Sequence, residues 1–209
     1  MLIVVANNKG GQGKTLLATL LTKYLMSNPK NAGNILCCDL DLTQQNFKDN
    51  LTAESIPVVS SLADVAENLL CVADTPPNLS KDVMQAIRSA DILIVPVILG
   101  KHSVQGAMRI AEIRGQRDLR LVVNQWDAST VQKQAEEFLT AEGFKFYGRI
   151  PKYKRLAYNI DAGLDWHSGF SEDQAKKIVG IFFHAIFFIK KALDVSRSDF
   201  SSFFPFNKS

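Results

Sequence analysis

The chain has 209 residues, enough for one α/β domain with a substantial core, and its 46% hydrophobic and 22% charged residues are ordinary for a globular protein. The formal net charge of +3 is uneven, because residues 1–100 hold seven basic and nine acidic residues whereas residues 101–209 hold seventeen and twelve. No positively charged segment precedes an apolar stretch and no apolar run reaches the roughly 20 residues that span a bilayer, so we expect a cytoplasmic protein rather than a secreted or membrane-spanning one.

Apolar strand segments alternate with helical segments along the chain. Strands are predicted at 2–6, 34–38, 69–73, 91–98, 119–123 and 144–150. Helices are predicted at 14–27, 61–68, 79–89, 103–115, 128–141 and 172–194. This order indicates an α/β fold, a single-domain and mostly parallel sheet with helices on both faces, which binds ligands at the carboxyl ends of its strands. We expect one domain at 1–195 and an irregular, phenylalanine-rich tail at 196–209.

The three cysteines lie within apolar runs. Cys37 and Cys38 are adjacent in the second predicted strand, and Cys71 lies in the third. Neighbouring residues of a strand point to opposite faces, which makes a poor pair of metal ligands. The pattern predicts small buried side chains rather than disulfides or a metal site.

A glycine-rich loop with the chemistry of a phosphate-binding loop follows the first predicted strand. Its residues are Lys9, Gly10, Gly11, Gln12, Gly13, Lys14, Thr15 and Leu16. The glycines let backbone amides close around an anion, and the next helix points its N-terminus at the same place. Lys14 can reach the β- and γ-phosphates of a nucleotide, and the Thr15 hydroxyl can bind Mg²⁺. The sequence therefore predicts a site for a nucleotide with Mg²⁺.

This loop departs from the common G-x-x-x-x-G-K-T pattern. The first glycine of that pattern would fall at Asn8, and a lysine stands at position 9. In this respect the loop resembles the deviant Walker A loop of the ParA/MinD family of dimerising ATPases. The resemblance implies that Lys9 crosses an ATP-dependent homodimer interface and contacts the partner's nucleotide, while Lys14 binds the phosphates.

Two carboxylates, Asp39 and Asp41, follow the second predicted strand. Beside a nucleotide with Mg²⁺, one carboxylate can hold a metal-bound water, and the other can orient the water that attacks the γ-phosphate. The segment resembles the family's first switch, usually Asp-x-Asp-Pro-Gln, which implies that Asp39 supports Mg²⁺ and Asp41 acts in hydrolysis. Leu42 replaces the usual proline, and the glutamine is displaced by one position. An aspartate that only caps a loop or a helix is the alternative.

Asp74 comes directly after the third predicted strand and is followed by Thr75, Pro76 and Pro77. A carboxylate at the end of an apolar strand is the Walker B arrangement, in which it supports Mg²⁺. The Asp-x-Pro-Pro segment also resembles the family's second switch, which senses the γ-phosphate. These features stand on successive strands in the family's order, which favours a nucleotide site over coincidence.

Two positions are predicted on the base side of the nucleotide. Asn124 follows the strand predicted at 119–123, and the resemblance implies that it contacts adenine, for which an amide offers both a donor and an acceptor. A cap on the following turn is the alternative for Asn124. Pro151 resembles part of the loop that flanks the base. The sequence has no Asn-Lys-x-Asp segment of the kind that specifies guanine, which favours ATP.

Basic residues of the second half favour DNA as the partner. The segment 145–155 carries five basic residues and no acidic one, and its candidate DNA contacts are Lys152, Lys154 and Arg155. A second basic segment contains Arg109, Arg114, Arg117 and Arg120. Dimerisation would double these patches and strengthen salt-sensitive phosphate binding without sequence preference. A solvated charged surface is the alternative for any single residue.

The chain most resembles the short ParA proteins that partition plasmids and lack an N-terminal helix-turn-helix domain. The resemblance implies a slow ATPase with ATP and Mg²⁺ as cofactors, which forms a homodimer with ATP and binds DNA non-specifically on the nucleoid. It also implies a ParB-like or adaptor protein that stimulates the hydrolysis of ATP to ADP and phosphate.

Three alternatives remain open at this point. Nine of the thirteen phenylalanines lie between positions 170 and 206, which is compatible with a MinD-like positioning ATPase on a membrane. Packing of the helix predicted at 172–194 in the core accounts for the same apolar residues. The altered first switch permits a ParA-like adaptor for conjugation or another cargo, with weak hydrolysis. A small-molecule ligase or kinase would need a substrate pocket that the sequence does not locate.

Overall fold

The structure is a computed structural model that describes residues 1–26, 33–52, 55–66, 69–115, 119–152, 154–162, 168–171, 173–174 and 178. Its strands are β1 (Leu2–Val5), β2 (Ile35–Asp39), β3 (Val58–Val59), β4 (Leu70–Asp74), β5 (Ile92–Val97), β6 (Arg120–Trp126) and β7 (Lys145–Pro151). Its helices are α1 (Lys14–Met26), α2 (Asn46–Thr52), α3 (Lys81–Ser89), α4 (Lys101–Arg114), α5 (Thr130–Ala141) and α6 (Lys154–Asp161).

The strands form one seven-stranded sheet in the order β3-β2-β4-β1-β5-β6-β7. All the strand pairs are parallel, which confirms the predicted fold class. Strand β1 is central, and Asp74 at the end of β4 is in register with Val5 on one side and with Asp39 on the other. The register therefore brings the loop after β1 and both of these carboxylates to one edge of the sheet.

Each face of the sheet has its own hydrophobic core, because side chains of a strand alternate between the faces. In β1, Ile3 and Val5 belong to the core beneath α1, α2 and α6. Val4 belongs to the core beneath α3, α4 and α5. Both faces are thus covered by helices, which is typical of a parallel sheet whose strands are apolar along their length.

The cysteines are buried free thiols, as the sequence predicts. Cys37 belongs to one core, and Cys38 and Cys71 belong to the other. Burial in apolar surroundings raises the pKa of each thiol to about 12, which makes all three unreactive. Among the described residues, no three histidine, cysteine, aspartate or glutamate side chains are grouped so that they could hold a metal ion.

The structure differs from the predicted elements in four of its segments. In the described part of the predicted helix 61–68, which is 61–66, the chain forms a 3-10 turn at Leu62–Asp64, whose start is capped by the Ser61 hydroxyl. Three short elements, β3, α2 and α6, are not among the predicted ones. The helix predicted at 172–194 and the tail at 196–209 lie almost wholly outside the described residues. Where the structure describes the chain, it contains no helix with the length and apolarity needed to cross a membrane.

Arg114, at the end of α4, joins this helix to α3. Its guanidinium donates to the backbone carbonyl oxygens of Ile87, Arg88 and Ala90 at the end of α3. The last carbonyls of a helix have no partner within it, and a cation there interacts well with the helix dipole. Arg114 therefore has a structural role, which sets it apart from the basic patch in which the sequence placed it. Arg117 lies outside the described residues.

Replacing Arg114 by alanine should lower the free energy of unfolding by about 1–3 kcal/mol, since the carbonyls at the end of α3 lose a charged donor. Urea denaturation measures this loss. The control is Arg109→Ala, which removes an exposed arginine from the same helix and should change stability by less than about 0.5 kcal/mol. Equal effects of the two substitutions would contradict the role of Arg114.

Candidate nucleotide-binding site

The predicted phosphate loop connects β1 to α1, with Lys14, Thr15 and Leu16 in the first turn of the helix. Gly13 has a φ of +89°, a conformation that only glycine adopts easily. A Cβ atom on Gly13 would also lie 2.2 Å from Nδ2 of Asn124. The last glycine of the loop is thus required by its backbone conformation and by the close approach of β6.

Thr15 and Asp74 meet at the centre of the site. The Thr15 hydroxyl donates a hydrogen bond of 2.6 Å to Oδ2 of Asp74. Asp74 is only 1% exposed, and burial raises the pKa of its carboxyl to about 7, with a smaller contribution from the charge of Asp39. A hydroxyl beside a buried carboxylate is a donor set that suits Mg²⁺, and a cation there would relieve the cost of ionising Asp74.

Lys14 lies close to these acidic groups. Its side chain is 7% exposed, and its Nζ donates to the backbone carbonyl oxygen of Lys9 at 3.2 Å. Burial lowers the pKa of Lys14, while the charges of Asp74 and Asp41 oppose that change. Its ammonium is therefore a buried cation at the mouth of the loop, where an anionic ligand would replace a carbonyl as its partner.

Asp39 and Asp41 hold the loop that follows β2. Asp39 accepts hydrogen bonds from the backbone amides of Asp41 and Lys48. Burial raises the pKa of Asp39, and these two hydrogen bonds oppose the change. Oδ1 of Asp41 accepts bonds from the amide and hydroxyl of Thr43 and from the amide of Gln44. Both carboxylates thus accept capping hydrogen bonds from the loop that follows β2, which is part of the alternative interpretation of these aspartates. Both also lie at the edge of the sheet that holds Thr15.

Asn124 has a different set of contacts from the predicted one. Its Nδ2 donates to the carbonyl oxygen of Gln12 at 3.1 Å, and its Oδ1 accepts from the amide of Gln125 at 3.0 Å. Asn124 lies within β6 rather than after it, and the residue whose amide it accepts from, Gln125, has a φ of 54° in the same strand. Asn124 also holds the phosphate loop, a role that the sequence did not predict, and its contact with adenine stays a prediction.

Pro151 lies on the strand next to that of Asn124, at the carboxyl edge of the sheet, where it is in register with Trp126. The amide of Lys152 donates to the carbonyl oxygen of Trp126 at 3.2 Å. Buried Gln132 shapes the connection after β6 by accepting from the amide of Asp127 and donating to the carbonyl oxygen of Gln125.

Sequence reasoning also missed Asn7, which is buried at the end of β1. Its Nδ2 donates to the carbonyl oxygen of Pro96, and its Oδ1 accepts from the amide of Lys9. A polar residue after an apolar strand is the one signal that the sequence offers for it. Gln132 gives no such signal, because Lys133 and Gln134, which follow it in α5, are polar too and are exposed.

The basic segment 145–155 contains one arginine whose charge is compensated. Arg149 forms a salt bridge of 2.6 Å with Glu136 of α5 and lies 4.9 Å from the centre of the Trp126 ring. The acidic partner comes from another part of the chain, so the count of charges within the segment did not reveal it. The exposed lysines near it are Lys145, Lys152 and Lys154, and Arg155 lies in α6.

A family model described as the CobQ/CobB/MinD/ParA nucleotide-binding domain matches residues 3–165. A ParA family protein from Mycoplasma genitalium is 34% identical over 74 residues, which are 35% of this chain and 26% of that protein. The matched segment thus spans about a quarter of that relative.

Two solved structures have a similar fold. A protein of Borrelia burgdorferi, described as a plasmid partition protein and bound to AMPPNP, has a TM-score of 0.67 and 19% identity, covering 91% of this chain and 98% of its own. The septum site-determining protein MinD of Pyrococcus horikoshii with Mg-ADP has a TM-score of 0.68 and 16% identity, covering 92% and 97%. The parallel sheet flanked by helices is therefore shared with these proteins.

Replacing Asp74 by asparagine should make the stability of the protein without Mg²⁺ and nucleotide less dependent on pH. The pKa of Asp74 rises from 3.8 to about 7 on folding, so the folded chain holds this proton more tightly. The stability that this proton contributes is complete below pH 3.8 and is lost as the pH rises toward 7. The variant cannot ionise at this position. Its free energy of unfolding, relative to that of the natural protein, should therefore rise by up to about 4 kcal/mol between pH 4 and pH 8. Urea denaturation at both pH values measures this, and a difference independent of pH would contradict it.

Proposed function

We propose that this chain, which belongs to the CobQ/CobB/MinD/ParA family of nucleotide-binding domains, is an ATP-dependent dimerising ATPase that segregates or positions DNA. The observation that carries the proposal is the convergence of Lys14, Thr15, Asp39 and Asp74 at one edge of the sheet, with Thr15 bonded to Asp74. A phosphate loop and two strand-end carboxylates are what a nucleotide with Mg²⁺ requires.

The proposed cofactors are ATP and Mg²⁺. Thr15 would bind Mg²⁺ directly, with Asp39 and Asp74 supporting it, and Lys14 would bind the phosphates. Bound Mg²⁺ would supply neutralisation of the charge that develops on the phosphoryl oxygens. The AMPPNP and Mg-ADP named for the two structural relatives support an adenine nucleotide. Asn124 and Pro151 are the proposed neighbours of the base.

Asp41 is the residue proposed to orient the attacking water. Three donors of its own loop hold Oδ1, so the orientation of the carboxylate is set before any nucleotide binds. An oriented carboxylate places water in line with the γ-phosphate without a reorganisation step. Hydrolysis would be slow in the isolated protein and faster with an adaptor partner.

Lys9 is the proposed link between the two subunits. ATP would bridge the subunits through this lysine, and hydrolysis would remove the bridging γ-phosphate. The dimer would thus be favoured by ATP and disfavoured by ADP, which is a shift of population between two states. We propose residues 1–195 as the ATPase domain and residues 196–209 as a tail outside it.

The proposed DNA contacts are on the basic surface beside the base site. Lys152 and Lys154 are exposed, and Arg155 follows them in the first turn of α6. Arg149 is left out, because Glu136 compensates its charge. Two copies of this surface in a dimer would bind DNA phosphates far better than one copy, without sequence preference and with strong dependence on salt.

The test is binding to a random-sequence DNA duplex with Mg-ATP, with Mg-ADP and without nucleotide, each at two salt concentrations, followed by fluorescence anisotropy. The proposal predicts binding with Mg-ATP that is at least about tenfold tighter than in the other states and weakens steeply with salt. Absence of binding with Mg-ATP at low salt would contradict DNA as the partner, and liposomes and adaptor proteins would be tested next.

Substitutions locate the surface. Lys152→Glu with Lys154→Glu should abolish the binding that depends on ATP, whereas Lys81→Glu, an exposed lysine of α3, should leave it within about twofold. Asp41→Asn keeps the Oδ1 acceptor and removes the charge, so it should slow the hydrolysis of ATP. DNA binding after a limited addition of ATP should therefore last longer than in the natural protein.

A further inference from the structure

The side chain of Gln12 is buried in the phosphate loop, in which the proposed phosphate ligands are the backbone amides and Lys14. It is 5% exposed, and its Oε1 accepts a hydrogen bond of 2.8 Å from the backbone amide of Ile98. Its Nε2 lies 3.5 Å from the carbonyl oxygen of Gly10 in the same loop. Ile98 is the first residue after β5, so this contact joins two parts of the chain that are 86 residues apart in sequence.

Gln12 is also held through its backbone. Its carbonyl oxygen accepts from Nδ2 of Asn124, a residue of β6. At the start of the loop, Asn7 bonds the carbonyl of Pro96 and the amide of Lys9. The loop is thus fastened to β5 at its start and at its middle, and to β6 at Gln12.

The contact with Ile98 has a cost that an apolar side chain would avoid. Fixing a glutamine side chain loses rotamer freedom, and burying its amide removes hydration. The amide of Ile98 lies beyond the end of β5 and, without Gln12, loses this acceptor at a partly buried position. Position 12, between two glycines, thus carries a side chain whose burial costs rotamer freedom and hydration.

We propose that Gln12 is a positioning residue that keeps the phosphate loop in its nucleotide-binding shape by fastening it to the first peptide after β5. This inference rests on the proposed nucleotide site. A loop with three glycines has many accessible conformations, and only a fraction of them presents its amides to a phosphate. The apparent affinity falls in proportion to that fraction, so Gln12 strengthens binding by limiting the alternatives.

The test is Gln12→Leu, which keeps the approximate size of the side chain and removes both hydrogen-bonding groups. Isothermal titration with Mg-ADP and with Mg-ATP should show dissociation constants about tenfold higher than in the natural protein, and to a similar extent for both nucleotides. Single-turnover hydrolysis of bound ATP should stay within about twofold, since the loop is correctly shaped once occupied. The control is Gln134→Leu, an exposed glutamine of α5, which should change neither quantity.

Backbone hydrogen exchange gives a readout that does not depend on activity. The amide of Ile98 should exchange faster in Gln12→Leu and at the natural rate in Gln134→Leu. Gln12→Ala, which demands less space, gives the same comparison if the leucine variant does not fold.

Three results would overturn the inference. Unchanged exchange at Ile98 would show that the contact does not exist in solution. Faster exchange with unchanged nucleotide affinity would show a contact with no positioning role. If the natural protein binds neither nucleotide, the proposed function fails together with the inference, whereas equal affinity of the natural and variant proteins rejects the inference alone.

Discussion

The hydrogen bond from Thr15 to Asp74 joins the first turn of α1 to the end of β4, and the rest of the site is arranged around it. The parallel register places Asp39 beside Asp74, and the chain reversal after β1 brings Lys14 to the same edge. Burial makes the ionised form of Asp74 costly, which is why a cation is favoured there. The free-energy cost of ionising this buried acid and the proposed binding of Mg²⁺ with a nucleotide thus have one physical origin.

Much of the fold follows from the sequence, because six of the seven strands lie on predicted segments, and four of these segments are nearly continuous apolar runs. β3 has two residues and α2 and α6 are short, so they carry too little periodicity to be recognised. In the site, Lys14, Thr15, Asp39 and Asp74 could be predicted, because their chemistry depends on local spacing. The roles of Asn7 and of the Gln12 side chain could not, since their partners are backbone groups of β5 and its end, distant in sequence.

Charge was the least reliable guide from sequence alone. Two of the arginines that the sequence placed in basic patches are engaged within the fold, Arg114 with the end of α3 and Arg149 with Glu136. A count of charges along a segment cannot reveal partners that come from other elements. Two exposed lysines of these patches, Lys152 and Lys154, lie where β7 leads into α6, next to the proposed base site, whereas Arg109 is exposed on α4. In the proposed function, that proximity is the physical route by which nucleotide state would affect DNA binding.

The proposed switch depends most on ATP holding two copies of this chain together through Lys9. The most direct measurement is the molar mass in solution by light scattering, with Mg-ATP, with Mg-ADP and without nucleotide, for the natural protein and for Lys9→Ala. We expect the mass of a dimer only for the natural protein with Mg-ATP, and the mass of a monomer in every other case. A mass that does not respond to nucleotide, or a Lys9→Ala variant that dimerises with Mg-ATP as the natural protein does, would contradict it.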